Sequence, residues 1–287
     1  MKKHLTALIP LLAAMLLFAS CQKDNVAAPT FDGSNARHFC KEKSRRYCIG
    51  EKKYVLFSQG NLQFNPSTNT IRFANEQYDT IGSANGFIST TYDGWLDLFG
   101  WGTGSNPGNA STDPADYSKF TDWGNRIGEG YRSLTVDEWL YILYYREDAD
   151  LKRCETKVLG VEGLLLCPDS TTCGLAMKSV ISDTAEWTAY DTNGFVFLPL
   201  AGYRNGTEVL GYGKGVHVTE GHYWTGSSSP KDTTYANGPV TTTVNDPKQG
   251  AQCMRIYYNS YGNFVIDTTT TFYFRHFGRS VRLVQDY

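Results

Sequence analysis

The chain of 287 residues ends on the stretch FYFRHFGRSVRLVQDY, residues 272–287, in which arginine alternates with apolar residues. Val281 and Leu283 flank Arg282, and successive side chains of a strand point to opposite faces of its sheet. This order predicts a half-buried strand with one apolar face and one charged face. We expect Arg279 and Arg282 to hold carboxylates or carbonyls of neighbouring loops rather than to form an anion site.

Short strands and one clear helix are predicted upstream of this stretch. Residues 53–64 and 70–82 are rich in β-branched and aromatic residues, and a turn at residues 65–67 separates them. Residues 133–148 carry apolar side chains at helical spacing behind a capping box, which predicts a helix. Further short strands are predicted after residue 157. This mixture predicts a single, loop-rich α+β domain.

A segment rich in glycine and tryptophan, GWLDLFGWGTGSNPGNAS at residues 94–111, is predicted to be a structured loop pinned by Trp95 and Trp101. A phosphate-binding loop is the alternative, but the Gly-Lys-Ser/Thr ending of such loops is missing. The formal net charge of −2 gives no basic surface for phosphates. Nucleic acid is therefore not an expected partner.

The N-terminus has the order of a secretory signal, with lysines before an apolar run at residues 5–18. That run is too short to span a bilayer comfortably. The letters FASC resemble a bacterial lipobox, and CQKDN resembles the short charged tag of Bacteroidetes surface lipoproteins. We therefore expect a signal peptide at residues 1–20, lipidation of Cys21, a flexible tether at residues 21–37 and a folded domain at residues 38–287. The expected location is the outer membrane, facing out.

Six cysteines remain after export, where disulfides are permitted. Cys40 and Cys48 flank a charged turn, and Cys154 and Cys167 flank a predicted hairpin. We expect each of these two pairs to form a bridge, with Cys167 bonded to Cys173 as the alternative. A zinc site is not expected, because the chain has no Cys-x-x-Cys pair.

Several phrases occur in the order typical of a known family. The chain resembles a family of Bacteroidetes surface lipoproteins related to the Fibrobacter major paralogous domain, and the resemblance covers residues 47–284. It implies the fold shared by C-type lectins and the formylglycine-generating enzyme, in which the last strand pairs with the first. The phrases that carry it include VLFSQGNLQF, IRFANEQYDTIG, GWLDLFGWGTG, VEGLLLCPD, FVFLPLAGYRNGTE, HYWTGSSS and RHFGRSVRLV.

No catalytic residues and no cofactor are expected. The formylglycine-generating enzymes hold copper with two late cysteines, whereas only Cys253 follows Cys173 here. Serine-nucleophile and His-Glu-x-x-His motifs are missing as well. Calcium stays open because loops at residues 121–125 and 243–250 are rich in oxygen ligands, but the sugar-binding signatures of C-type lectins are missing.

The expected function is non-catalytic binding at the cell surface, with a host glycan or a surface protein as ligand. A metal-dependent enzyme and a structural component of the surface layer are the alternatives. Tyrosine and asparagine near the C-terminus suit recognition because they give contact area and adaptable hydrogen bonds. The candidate ligand-binding residues are Trp224, Tyr257, Tyr258, Asn259, Tyr261, Asn263, Tyr273, Arg275 and His276.

Overall fold

The chain is a mixed α+β protein that is rich in strands and has few helices. The computed structural model describes residues 27–34, 43–128, 130–170, 175–211, 220–230, 233–237, 240–244, 249–268 and 272–287. The expected signal peptide, the lipidation site at Cys21 and the first cysteine of the Cys40–Cys48 pair lie outside these residues. Among the helices that are described, none is long and apolar enough to cross a membrane.

The helices are short. The helix α1 covers Val136–Leu140 and continues as a π-helix over Tyr141–Tyr145, and α2 covers Thr184–Thr192. Single 3₁₀ turns cover Lys43–Arg45, Gly82–Phe87, Pro114–Tyr117, Trp123–Arg126 and Ala149–Lys152.

The strands carry most of the regular structure. In chain order they are β1 (Thr30–Phe31), β2 (Tyr47–Gly50), β3 (Lys53–Phe57), β4 (Leu62–Asn65), β5 (Thr70–Phe73), β6 (Tyr131–Ser133), β7 (Arg153–Val158), β8 (Val161–Leu166), β9 (Val180–Ile181), β10 (Val196–Pro199), β11 (Tyr203–Asn205), β12 (Glu208–Leu210), β13 (Glu220–Ser228), β14 (Thr233–Asn237), β15 (Val240–Val244), β16 (Gly250–Tyr258), β17 (Phe264–Asp267), β18 (Tyr273–Phe274) and β19 (Leu283–Asp286).

These strands form several small sheets around a shared core. The orders are β2-β3-β19-β6, β10-β8-β7-β9, β1-β5-β4 and β13-β16-β17, with β18 also paired to β16. The hairpins β11-β12 and β14-β15 each form a separate two-stranded sheet. Strand β16 contributes Met254 and Ile256 to one hydrophobic cluster and Ala251 and Cys253 to another. It is therefore buried from both sides along most of its length.

The last strand, β19, lies inside its sheet. Val284 is opposite Phe57 of β3 on one side and Arg132 of β6 on the other. The resemblance implied that the last strand pairs with the first, whereas β19 pairs with β3 and β6. This pairing places the C-terminal segment between two strands, so its backbone groups are satisfied on both edges.

The prediction that the C-terminal stretch has a charged face is wrong. Arg282 is only 1% exposed. Its guanidinium donates to the carbonyl of Phe197 at 2.8 Å and to the side chain of Gln77. Burial lowers the pKa of Arg282 to about 10. The arginine therefore ties the end of the chain to two distant segments, as the expectation of a carbonyl-holding role requires.

The helix prediction is confirmed. The Thr135 hydroxyl accepts from the Glu138 N–H, and the Glu138 carboxylate accepts from the Thr135 N–H. Trp139, Ile142 and Leu143 are buried in the largest core cluster. The predicted apolar stripe thus packs inward, although its second half winds as a π-helix.

The expected tether begins to fold before residue 38. Strand β1 runs parallel to β5, and the Asp32 N–H donates to the Ile71 carbonyl at 2.7 Å. The Phe31 ring packs edge-on against Phe73 with centroids 5.6 Å apart. Residues 27–34 lie on the domain because one aromatic side chain in this polar segment reaches the core.

The expected bridge between Cys154 and Cys167 is not formed. The hairpin itself is present, but its register places Cys154 opposite Leu165. Cys167 is then a diagonal neighbour, and diagonal pairs are farther apart than the 3.5–4.5 Å between Cβ atoms that a disulfide needs, at about 7 Å. Cys154 is a free thiol in this structure. Cys40 lies outside the described residues, so the bridge from Cys48 to Cys40 stays a prediction.

Candidate functional site

The expected binding residues do not form one surface, because strand β16 separates them. Arg275 donates to the carbonyl of Gly250, the first residue of this strand, at 2.9 Å. The tyrosine-rich residues lie at and beyond its last residue, Tyr258. A strand of nine residues is about 26 Å long. The two groups therefore occupy opposite ends of the strand.

Trp224 belongs to neither end. It is buried in a core cluster, and its indole N–H donates to the Phe99 carbonyl at 2.6 Å. A buried tryptophan with its N–H already bonded supports the fold and offers nothing to a ligand. The structure therefore places Trp224 in the core and not on a ligand-binding surface.

At one end of β16 lies the hairpin tip, residues 257–264. The Asn259 side-chain oxygen accepts from the N–H groups of Tyr261 and Asn263, both at 3.0 Å. The Tyr258 hydroxyl donates to Glu155 at 2.6 Å. These two side chains of the tip therefore bond within the protein. Ser260, Tyr261 and Asn263 are exposed, Tyr261 with 87% of its surface.

The Tyr257 ring at this tip is also engaged. The Arg255 guanidinium lies 3.9 Å from its centroid, and the same guanidinium binds Glu220 at 2.8 Å. Tyr257 is half-buried under this pair. One face of the ring is therefore covered by a neighbouring cation.

At the other end of β16 is an open cleft between residues 101–109 and residues 115–121, which we call the polar cleft. Its volume is about 390 Å³, within the usual range of small-molecule sites. Most of its lining side chains are hydroxyls, amides or charged groups. Such a lining suits a ligand that makes many hydrogen bonds.

The backbone of the polar cleft is held by close contact between its two loops. The Thr121 N–H donates to the Gly102 carbonyl at 2.9 Å, and the Gly104 N–H donates to the Thr121 carbonyl at 3.0 Å. Gly102 has a φ of +70°, which side chains disfavour. A Cβ at Gly104 would lie 2.5 Å from the Asp122 carbonyl oxygen. These glycines allow the loops to approach.

The floor of the polar cleft is a stack built on Trp101. Arg275 lies over one part of this ring at 4.1 Å, and the Phe120 ring packs on it with centroids 4.6 Å apart. The Trp101 N–H donates to the Thr225 carbonyl at 2.9 Å. Arg275 also donates to the Tyr117 carbonyl at 3.3 Å. The expected ligand-binding Arg275 thus supports the floor from behind.

Several polar side chains at the rim of the polar cleft are left open. Within the part of the chain that the structure describes, they are exposed and make no side-chain hydrogen bond or ion pair. Among them are one carboxylate and one ammonium group, whose charges are opposite. The residues are Ser105, Asn106, Asp116, Ser118 and Lys119.

The two remaining expected residues lie near this end. The Arg279 guanidinium lies 4.3 Å from the Tyr273 centroid. The His276 ring packs on Phe277 with centroids 4.8 Å apart and lies 6.5 Å from Tyr117 of the cleft floor. Both side chains are half-buried. They support the cleft region and do not line it.

A buried polar cluster lies between the two ends. The His222 Nε2–H donates to Glu220 at 3.0 Å, so its Nδ1 accepts from Arg279. Burial, together with the positive charge of Arg279, lowers the pKa of His222 to about 3. Burial opposes the charge of Glu220, but the hydrogen bond from His222 and the guanidinium of Arg255 outweigh it and lower the pKa of Glu220.

The Cys253 thiol lies 3.9 Å from Nδ1 of His222, a pairing that is used in cysteine nucleophiles. Here burial raises the pKa of Cys253 to about 11, and the thiol is fully enclosed. A reactive cysteine needs a lowered pKa and access to substrate. This pair therefore lacks the properties of a nucleophile.

Metal ligands are not grouped in the described residues, where no cluster of three or more histidines, cysteines or carboxylates is placed to hold an ion. Comparison with family models, with curated proteins and with solved structures found no match for the chain. The site must therefore be judged on its own geometry.

Sequence reasoning missed the polar cleft. Its first loop was predicted only to be a structured loop. Ser105 and Asn106 in this loop were not among the candidate binding residues, most of which lie near the aromatic C-terminus. The signal in the sequence was a run of polar side chains between glycines, and these glycines allow two loops to approach closely. Composition alone could not show that these side chains stay unbonded.

Proposed function

We propose that this protein is a non-catalytic recognition protein, held on the outer face of the outer membrane by a lipid on Cys21. The family resemblance, which implies a C-type lectin-like or formylglycine-generating-enzyme-like fold, supports this proposal. Ligands bind in the polar cleft at the Gly250 end of strand β16.

The observation that carries the proposal is a preformed cleft with unbonded polar side chains on a rigid floor. The floor rings and Arg275 are fixed by carbonyl hydrogen bonds and stacking. Because the site is already ordered, a ligand does not have to pay for ordering it. Unbonded rim groups such as Asn106 and Asp116 supply specificity.

The enzyme alternative has less support. A catalytic site needs titratable groups tuned by their surroundings and open to substrate. The strongly shifted groups His222 and Cys253 are buried, and Tyr117, which lines the polar cleft, is itself buried, which raises its pKa to about 12. A stoichiometric transition metal in the native protein, measured by elemental analysis, would favour the enzyme over a binding protein.

A binding array tests the proposal. The mature protein is applied to immobilised glycans and surface proteins, next to the double variant Asn106→Ala, Asp116→Ala. Both side chains are exposed, so the variant should remain folded. The matched control at the hairpin tip is Tyr257→Ala, Tyr258→Ala, Tyr261→Ala.

We expect the cleft variant to lose the hits of the wild type and the tip variant to keep them. The reverse pattern would move the site to the hairpin tip. A wild-type protein that binds nothing on the array would count against recognition and favour a structural role in the surface layer.

The anchor is tested separately by metabolic labelling with a fatty-acid analogue. We expect label on the wild type and none on Cys21→Ala, because a lipobox cysteine is the acceptor. External protease on intact cells should then digest the protein. Equal labelling of both forms would refute the anchor, and protection from protease would place the protein on the inner side.

A further inference from the structure

We infer that the folded domain rests on the lipid bilayer with one defined face, whose exposed Phe87 inserts between the lipid headgroups. We call this surface the entry face, because the chain enters the domain beside it, and it comprises residues 66–69 and residues 87–93. The contact requires the lipid on Cys21, so it rests on the proposed function, and it specifies which side of the domain meets the membrane.

The folded chain begins close to the proposed lipid. The Ala27 carbonyl accepts from the Asn69 side chain at 2.8 Å. The Thr30 N–H donates to the Asn69 carbonyl at 2.9 Å. Ala27 is only the sixth residue after Cys21. At 3.3–3.6 Å per residue, the link between them reaches at most about 21 Å.

A link of this length restricts how the domain is oriented. A compact domain of about 250 residues is roughly 45 Å across. The link is therefore about half as long as the domain is wide, and the surface around Ala27 stays next to the bilayer. The tether expected from the sequence, residues 21–37, would have reached about 55 Å and allowed every orientation.

A short series of contacts connects Ala27 to an exposed aromatic side chain. Asn69, which binds the Ala27 carbonyl, lies in the same turn as Ser67. The Ser67 N–H donates to the Tyr92 carbonyl at 3.1 Å. The Tyr92 ring packs on Phe87 with centroids 5.7 Å apart. Phe87 therefore lies on the side of the domain that the link holds near the membrane.

The Phe87 ring is held outward by a fixed turn. It is 66% exposed at the end of the 3₁₀ turn Gly82–Phe87. The Asn85 amide in this turn donates to Asp97 at 2.7 Å, and the next residue, Ile88, is buried in a core cluster. An exposed aromatic ring on a fixed support suits the boundary between headgroups and acyl chains, where such side chains bury their apolar surface.

The rest of the entry face is polar and nearly uncharged. Asp93 is its single charged residue, and the Asp93 carboxylate accepts from the Ser67 hydroxyl at 2.9 Å. Neither the entry face nor residues 27–34 contain lysine or arginine, and Arg72 of the adjoining strand β5 lies over the Trp95 ring at 3.7 Å. The exposed hydroxyl residues are Ser67, Thr68, Ser89, Thr90 and Thr91.

This composition indicates the kind of lipid contact. Basic residues attract proteins to anionic lipids, and the entry face has none. Hydroxyls can bond headgroup oxygens while Phe87 enters the apolar layer. The contact is therefore apolar insertion beneath zwitterionic headgroups, and it does not depend on anionic lipid.

The test measures whether residue 87 reaches the acyl chains. The full mature protein, lipidated on Cys21, is placed in phosphatidylcholine vesicles with or without bromine on the upper acyl carbons, because bromine quenches tryptophan fluorescence only at close range. Phe87→Trp puts the reporter on the entry face. Tyr261→Trp is the control, because Tyr261 is 87% exposed and the hairpin tip around it packs on the other core cluster. The wild-type signal is subtracted from both.

We expect brominated lipid to reduce the added fluorescence of Phe87→Trp by about half, because the ring lies at the depth of the upper acyl carbons. The added fluorescence of Tyr261→Trp should not change. Phosphatidylglycerol or high salt should leave the quenching of Phe87→Trp unaltered, since screening weakens only contacts between charges.

Hydrogen exchange of the wild type provides a second measurement that needs no reporter variant. Residues 87–93 should exchange more slowly in lipidated protein on vesicles than in Cys21→Ala in solution, and residues 257–264 should exchange equally in both. A Phe87→Trp signal that stays unquenched, equal quenching at both positions, a need for anionic lipid, or unchanged exchange in residues 87–93 would each overturn the inference.

Failure of the proposed function gives different results. Intact mass of the same sample reports the anchor, and a protein without acyl chains would refute the anchor together with the docked face. A lipidated protein that fails the quenching experiment would refute the docked face alone. Array hits that do not depend on Asn106 and Asp116 would refute the binding site in the polar cleft and leave the entry face unaffected.

Discussion

The hairpin tip and the polar cleft lie at opposite ends of strand β16 and differ in which of their polar atoms are bonded within the protein. At the tip, the Asn259 oxygen and the Tyr258 hydroxyl are bonded within the protein. In the cleft, Asn106 and Asp116 are left open above a fixed floor. Under the proposed function, the open polar atoms of the cleft are therefore the ones available to a ligand.

The largest expected difference between the two ends concerns their glycines. At Gly104 in the cleft, a Cβ would lie 2.5 Å from the Asp122 carbonyl oxygen, so Gly104→Ala must push two backbones apart. We expect it to cost about 3 kcal/mol of unfolding free energy and to weaken ligand binding. Urea unfolding followed by tryptophan fluorescence measures the first effect.

Gly262 at the tip is the matched control. It has a φ of +77° but open space around it. Gly262→Ala should cost only about 1 kcal/mol, from backbone strain alone. Equal losses for the two variants would mean that the cleft loops yield as easily as the tip, and a preformed cleft would then be untenable.

The second prediction concerns the polar cluster between the ends. His222 is neutral in the folded protein because its pKa is lowered to about 3, whereas its pKa in the unfolded chain is about 6.5. Its contribution to stability is therefore present above pH 6.5 and is lost as the pH falls. The stability advantage of wild type over His222→Gln should shrink by about 2–3 kcal/mol between pH 7 and pH 4.

The quantity to compare is the difference in unfolding free energy between the wild type and His222→Gln, because other groups titrate in the same pH range. Burial raises the pKa of Asp97 to about 6, so Asp97 stabilises the fold at low pH and loses this effect as the pH rises. Asp97 is present in both proteins and cancels, while Glu220, Arg255, Arg279 and Cys253 face His222 in the wild type. A constant difference across the pH range would show that His222 is not held neutral.

The third prediction separates structure from binding at the tip. Asn259→Ala removes the oxygen that accepts from the Tyr261 and Asn263 N–H groups, so it should cost about 1 kcal/mol. Ligand binding should not change. Asn263→Ala, which removes an exposed amide, serves as the control and should be nearly neutral in both measurements. Loss of binding in either variant would show that the hairpin tip belongs to the binding site.

The smallest expected effect belongs to Tyr261. With 87% of its surface exposed, Tyr261→Ala should change the unfolding free energy by less than about 0.5 kcal/mol. It should also leave ligand affinity unchanged, as measured by calorimetric titration with the tightest ligand from the array. Weaker binding in this single variant would show that exposure at the tip serves recognition.

Much of the fold followed from the sequence where local signals act alone. The capping box of Thr135 and Glu138 predicted the helix, and β-branched and aromatic residues on both sides of a turn predicted the β4–β5 hairpin. The burial of Arg282 could not be predicted in this way. Its partners, the Phe197 carbonyl and the Gln77 side chain, lie far away in the sequence and are brought near only by the complete fold.

The dependence on long-range contacts also explains why the candidate site could not be predicted from the sequence. Tyrosine and asparagine marked the C-terminus, but the pattern could not show that Trp224 points into the core or that Asn259 bonds its own turn. Nor could it show that a glycine-rich loop meets residues 115–121 beside Trp101 and leaves Asn106 open. Long-range contacts decide these points, and Arg275 and His276 of the predicted set contact Tyr117 of the cleft.

Hydrogen exchange of backbone amides with and without bound ligand tests most directly whether the cleft or the tip recognises ligands. The probe is the tightest ligand from the array, added to the full mature protein at a saturating concentration. Binding in the polar cleft predicts slower exchange in residues 101–121 and no change in residues 257–264. Slower exchange at residues 257–264 with an unchanged 101–121 segment would contradict the proposed site.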